Sequence, residues 1–232
     1  MPKPATVTPQ AGTKRKPRAV KRPSGRPGAD APAIGRDTIV ECACELLRKL
    51  PPSKITRSEV ARLAGVDPSL ARYYFRDGQS MLLAVAERLT EQFAHRVDRF
   101  VAASDGTPQE ALKARIRSLM ALQVEYPFFH QLIAQEVMES ADPTARRLME
   151  RLTDSGMRAY QAIIDSGVAD QSMRAVDGQQ LFLAVVGMCE SFVTGLPMLR
   201  FARAKTIDVL AESRRYEEFI CELVLRGVLA RS

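Results

Sequence analysis

The stretch TRSEVARLAGVDPSLARYYF, Thr56 to Phe75, constrains the fold more tightly than any other part of the chain, because it holds two helix starts and one sharp turn. Thr56 and Glu59 stand at capping-box spacing, at which a hydroxyl accepts from a first-turn backbone N–H and a carboxylate reaches back to the cap. Asp67-Pro68 supplies a capping carboxylate followed by a residue whose fixed φ suits the first helical position. Between the two, Gly65 tolerates the left-handed conformation that a sharp helix exit needs. Val60, Ala61, Ala64, Val66, Ala71 and Tyr74 form the set that would meet where two short helices cross. Ala61 is small where the second helix passes over it, and Val66 plugs the turn. This pattern predicts a helix-turn-helix.

From Arg36 onward the rest of the chain is helical almost throughout by periodicity. Ile39, Cys42, Ala43, Leu46, Leu47 and Leu50 recur at three- and four-residue steps, Thr38 and Glu41 stand at another capping-box spacing, and Pro51-Pro52 stops that helix. Asp77 reads as the cap of a fourth helix. Further helices are predicted over 78–102, 107–126, 127–140, 143–167, 177–200 and 206–229, separated by Asp105-Gly106 with Pro108, Tyr126-Pro127, Asp142-Pro143, Gly167 and Asp177-Gly178. No alternating strand pattern of useful length occurs. The expected fold is all-α, with about nine helices: a three-helix head over 36–82, joined through a long fourth helix to a helical body over 83–232.

Charge is uneven along this frame. The net charge is +7, and residues 1–35 alone hold eight basic residues against Asp30, leaving the remainder in balance. This basic tail has few large apolar residues, cannot bury enough surface to offset its ordering entropy, and is expected to be disordered. Its Gly25-Arg26-Pro27 resembles the core of an AT-hook, in which an arginine follows the negative potential of a narrow minor groove. A solvated basic linker that touches phosphates has the same composition.

Several function classes find no support. Cys42, Cys44, Cys189 and Cys221 form no CxxC pair, and with His95 and His130 the only histidines, no metal-ligand spacing can be assembled. Cys42 and Cys44, two apart on a helix, point in different directions, and all four cysteines read as reduced and mostly buried, the alternative being a redox-sensing pair. No nucleophile–base set and no phosphate-binding glycine loop is present, so neither an enzyme nor a cofactor is expected. Without an uninterrupted apolar run of about 18 residues or a signal-peptide pattern, the expected location is cytoplasmic, with no membrane partner.

Residues 36–85 resemble the DNA-binding head of the tetracycline-repressor (TetR) family of bacterial transcription regulators. The resemblance is carried by Ile39-Val40-Glu41-Cys42-Ala43-Cys44-Glu45-Leu46-Leu47, by SEVARLAGVDPSLARYYF from Ser58 to Phe75, and by Met81-Leu82. It implies a regulator, with repression as its mode, that binds a palindromic operator as a homodimer and is released by a small, largely apolar effector. Two positions depart from the common family pattern: Arg72 stands where many members have Tyr, and Gly78 where many have a phosphate-holding Lys. On a helical wheel Ala71, Tyr74 and Phe75 face the head's core, whereas Pro68, Ser69, Arg72, Tyr73 and Arg76 share the outer face. Arg72 is suited to a guanine edge, Tyr73 to a phosphate, and border residue Leu70 either to a thymine methyl or to packing. Thr56 and Arg57 are expected to reach the DNA backbone, and Gly78 to offer free N–H groups at a helix start, with Arg76 restoring the missing charge.

For the body, the resemblance implies ligand binding and dimerisation. Residues 177–200 and 206–229 are apolar enough to form a subunit interface, intramolecular core, or both on different faces. Met120, Tyr126, Phe129, His130, Met157, Tyr160 and Phe182 are the candidate effector contacts, with packed core as the other reading of the apolar members. A DNA-binding or nucleoid-associated protein without a ligand, controlled by a protein partner, is the alternative function.

Overall fold

The computed structural model describes residues 35–203 and 206–230. The readings placed on the basic tail, Arg26 included, lie outside the described residues. Among those residues the chain is built from α-helices with no strand beyond an isolated bridge between Met173 and Leu229. The head comprises α1 (Arg36–Leu47), α2 (Arg57–Leu63) and α3 (Pro68–Tyr74). The body follows with α4 (Gly78–Ala102), α5 (Pro108–Glu125), α6 (Phe129–Leu132), α7 (Pro143–Ala169), α8 (Gly178–Arg203) and α9 (Val209–Val228).

The caps of the head are formed as the residue types require. Thr56 Oγ1 accepts from the Glu59 N–H at 3.2 Å while Glu59 Oε2 accepts from the Thr56 N–H at 3.1 Å, closing the capping box. Gly65 has φ +68°, and the next N–H, from Val66, bonds back to the Ala61 carbonyl at 3.0 Å. Asp67 Oδ1 then accepts from Ser69 N–H at 2.7 Å to start α3. At the start of α4, Asp77 and Ser80 form a second reciprocal cap, at 2.8 and 3.2 Å.

Two predicted features differ. α1 begins at Arg36 behind Gly35, with no side-chain cap, so Thr38 and Glu41 lie inside the helix and form no capping box. Glu41 instead pairs with Arg88 of α4, as does Asp37 at 3.1 Å. The single helix expected over 127–140 is two pieces: α6 gives way to a π-helical turn, Ile133–Met138, in which Glu139 N–H reaches the Ala134 carbonyl. The extra residue in that turn shifts the face, burying Val137 and exposing Met138.

Head and body share one apolar core. Ile39, Val40, Leu47, Val60, Ala61, Ala71 and Phe75 of the head run continuously into Met81, Val85 and Leu89 of α4 and on to Leu112, Ile116 and Ile220 of the body. α5 is the central strut, packed against α4, α7, α8 and α9. At the start of α8 a Cβ on Gly178 would sit 2.6 Å from the Gln161 backbone, so only glycine lets α8 approach α7 there. The stretch Gly178–Ala202 is long and apolar enough in composition to cross a membrane. Its inner face, at Val185, Cys189 and Phe192, is nevertheless built into the protein core.

Candidate nucleic-acid interface

The geometry of α3 follows from what pins it down. Ala71 is fully buried and Phe75 is 2% exposed, while the Arg36 guanidinium covers the Phe75 ring at 5.2 Å. With that side fixed, Pro68, Ser69, Arg72, Tyr73 and Arg76 point outward. Tyr73 is 80% exposed, its ring edge-on to half-buried Tyr74 at 5.2 Å. Leu70 is half-buried against the core, at the border of the two faces. The outer face therefore presents a proline, a hydroxyl, two guanidinium groups and a phenol from one short helix and the residues after it.

Thr56 and Arg57, both expected at the DNA backbone, also make bonds within the head. The Thr56 hydroxyl is used in the capping box, and Arg57 Nη1 donates to the Phe75 and Arg76 carbonyls at 2.9 and 2.7 Å. Arg57 thus ties the start of α2 to the end of α3. The signal was invisible locally, because the accepting carbonyls lie 18 and 19 residues along the chain.

Arg76 is exposed and pairs with Asp77 at 2.9 Å and, across the seam, with Asp142 at 3.7 Å. The Ser80 backbone N–H, then Arg76, hold the Asp77 carboxyl down to about 2. Gly78 opens α4, and a Cβ placed there would meet nothing within 4 Å. A residue with a side chain could therefore stand here without a clash at its Cβ. Gln79 Nε2 donates to Ser140 Oγ at 3.0 Å, a further tie between the start of α4 and the body.

A joint that periodicity did not reveal links the end of α1 to the end of α5. Arg48 and Arg96 converge on Glu125 at 2.5 and 2.8 Å, and Arg48 also donates to the Tyr126 hydroxyl at 3.1 Å. Burial pushes the Glu125 carboxyl up, but Arg96 and Arg48 outweigh it and leave the group below its usual value. Tyr126, expected among effector contacts, belongs to this joint: its hydroxyl is bonded to Arg48 and its ring lies under the same guanidinium at 5.1 Å.

Of the other expected effector contacts, Met120, Phe129 and Tyr160 are buried, while His130, Met157 and Phe182 are half-buried. Tyr160 and Phe182 are brought together edge-on at 5.8 Å. The Nδ1 of His130 is buried with no hydrogen-bond partner. Open clefts of about 560 Å³ along α4 at Gln92, His95 and Arg99, and of about 510 Å³ between α4 and α7 at Glu87, Arg147 and Arg151, are not lined by this set. All four cysteines are free, and burial pushes the Cys44 and Cys189 thiols up to about 12.

The family model described as "Tetracyclin repressor-like, C-terminal domain" matches residues 105–232. The transcriptional regulator BetI of Rhizobium meliloti is 34% identical over 86 residues, which span 36% of this chain and 41% of that relative, less than half its length. The regulator AlkX of Mycobacterium tuberculosis is 28% identical over 170 residues, 71% of this chain and 77% of the relative. The solved structure of FadR from Bacillus subtilis in complex with stearoyl-CoA shares the fold, with TM-score 0.61 and 17% identity over 83% of this chain and 99% of that one. Matched by that family model over more than half its length, the chain belongs to the tetracycline-repressor (TetR) family of DNA-binding transcriptional regulators.

Proposed function

We propose that the chain is a repressor that binds a palindromic operator as a homodimer and leaves it when a small, largely apolar effector binds the body. The observation that carries this reading is the outward face of α3, where Ser69, Arg72, Tyr73 and Arg76 stand clear of a helix locked from behind by Ala71 and Phe75. Arg72 reads a guanine edge, the commonest specific side-chain contact in the major groove. Tyr73 and Arg76, with the backbone N–H groups at Gly78, hold phosphates and set register.

One such head covers only a few base pairs, so the reading needs a second copy with its head about 34 Å away, one turn of DNA. Support comes from α8 and α9, which leave Leu183, Met198, Phe201, Leu210, Phe219 and Leu223 exposed, Phe201 at 89%. An apolar surface of that kind marks an interaction site, and it accounts for the membrane-like composition of α8. Regulation is read through α4, which follows directly on the head and packs against α1 there and against α5 and α7 in the body. An effector that moves α4 would change head separation and weaken operator binding, a coupling of about 1–3 kcal/mol. The proposed place of action is the bacterial cytoplasm, at the nucleoid.

The test is selection of bound sequences from random DNA by the full chain. A palindrome with half-sites one helical turn apart is the expected result. Recovery of unrelated sequences, with a steep salt dependence and no preferred site, would favour a ligand-independent, nucleoid-organising protein instead.

A further inference from the structure

Arginines drawn away from water in this protein are almost all answered. Among the described residues, half-buried Arg48, Arg88, Arg96 and Arg117 each hold at least one carboxylate, and Arg57 holds two backbone carbonyls. Arg115, in the middle of α5, is the exception: it makes no ion pair and no hydrogen bond there. Its guanidinium lies over the Tyr160 ring of α7, 5.5 Å from the centroid, and Tyr160 in turn meets Phe182 of α8. Burial pushes the Arg115 guanidinium below the usual arginine value, with Tyr160 and then Asp98 opposing the shift from beyond ion-pair distance. An arginine in a protein does not give up its proton. A half-buried cation therefore faces an aromatic wall with no anion beside it, an arrangement that costs stability unless something supplies the anion.

A second unanswered donor lies beside it. Ser118 is fully buried, and its Oγ has no hydrogen-bond partner. Residues three apart on a helix are neighbours on its surface, with Cβ atoms about 5–6 Å apart. The apolar side of the same region is supplied by Tyr160 and by Phe182, whose ring lies across Gly156, with half-buried Met157 one turn before Tyr160 on α7. A Cβ at Gly156 would sit 2.6 Å from that ring, so the ring occupies space that only a glycine leaves open.

We propose that Arg115 and Ser118 form the anion-binding end of the effector site, and that the effector is an amphiphile whose carboxylate is held there while its apolar part lies against Met157, Tyr160 and Phe182. This rests on the reading of the body as an effector-binding domain and names the chemical class that domain takes. The carboxylate would receive charge-assisted hydrogen bonds from the guanidinium and one from the serine hydroxyl. Its arrival would give an ion-pair partner to a cation that now has only an aromatic ring and a more distant Asp98.

The test uses the full chain, with decanoate as the anionic probe and decanol as its neutral counterpart, titrated calorimetrically into wild type, Arg115→Gln and Arg115→Lys. The expected result is that decanoate binds wild type about tenfold or more tightly than decanol, that Arg115→Gln removes the preference while sparing decanol, and that Arg115→Lys keeps part of it. Equal binding of the two probes, a preference that survives Arg115→Gln, or no binding of decanoate overturns the proposal. A second measurement guards against a merely structural arginine: Arg115→Met, free of ligand, should melt at or above the wild-type temperature, and a clear fall would count against the proposal. Operator affinity separates this from the underlying reading. Decanoate that binds through Arg115 but leaves operator affinity unchanged upholds the anion site and defeats the effector reading. Release of the operator by a neutral molecule, with no decanoate binding, does the reverse.

Discussion

The head and the body both close their helix caps, but they differ in the buried polar side chains they leave unpaired. In the head, the Thr56, Asp67 and Asp77 caps are closed, and Arg57 is bound to two carbonyls. In the body, Ser118 Oγ, Gln123 Oε1 and His130 Nδ1 are buried without a partner, and Arg115 lacks an anion. Buried polar groups are nearly always satisfied in a protein that has reached its final state. On the proposed reading, the head offers a fixed surface to DNA, and the body's unpaired groups are open to an effector. Arg48 belongs to the joint between them: its Nε is unsatisfied while its Nη groups hold Glu45, Glu125 and Tyr126.

Breaking the head's fixed surface should have the largest effect. Phe75→Ala removes a ring that is 2% exposed and backs α3, and should cost about 3–5 kcal/mol of stability, read by denaturant unfolding, with DNA binding lost alongside. Glu125→Gln weakens the joint at both Arg48 and Arg96. Because these partners keep roughly a fifth to a third of their side chains exposed, the cost should be nearer about 1 kcal/mol, and effector response should weaken more than operator affinity does. An unchanged effector response would leave the two regions uncoupled at that joint.

Smaller changes sharpen the comparison. Gly78→Lys adds a charge where a side chain meets open space, and should strengthen binding to all duplexes while steepening the salt slope by about one unit in a titration series. Asp77→Asn should have the smallest effect. The Ser80 N–H and Arg76 depress the Asp77 carboxyl to about 2, so its contribution is complete above an unfolded value of about 3.9 and is lost as pH falls towards 2. Thermal melts should therefore show a small deficit of the variant at neutral pH that narrows between about pH 4 and pH 2.

What could be read from the sequence follows the same division. The head is written in local signals: a box whose two members stand three apart, a glycine at the turn, and Asp-Pro at the next start each act within about one helical turn, so α2, α3 and the outer face of α3 were legible. The box at Thr38 and Glu41 misled because the spacing alone cannot tell a helix start from its second turn. Contacts between distant residues left no trace, whether Arg57 on the end of α3 or Arg48 on Glu125, 77 residues away. In the body, periodicity found the helices but not the extra residue of the π-helical turn, and it could not say that Tyr126 serves the joint while Arg115 goes unanswered.

The most direct measurement of the central claim is the ratio of dissociation constants for the selected operator and a scrambled duplex, at one fixed salt concentration, for wild type and Arg72→Ala. Wild type should prefer the operator by about a thousandfold or more. Arg72→Ala should lose about 1–3 kcal/mol of that preference, confined to one position of each half-site, with far less change on scrambled DNA. Equal affinity of wild type for both duplexes, or an equal loss on both in the variant, would contradict the account of α3 as the reading helix.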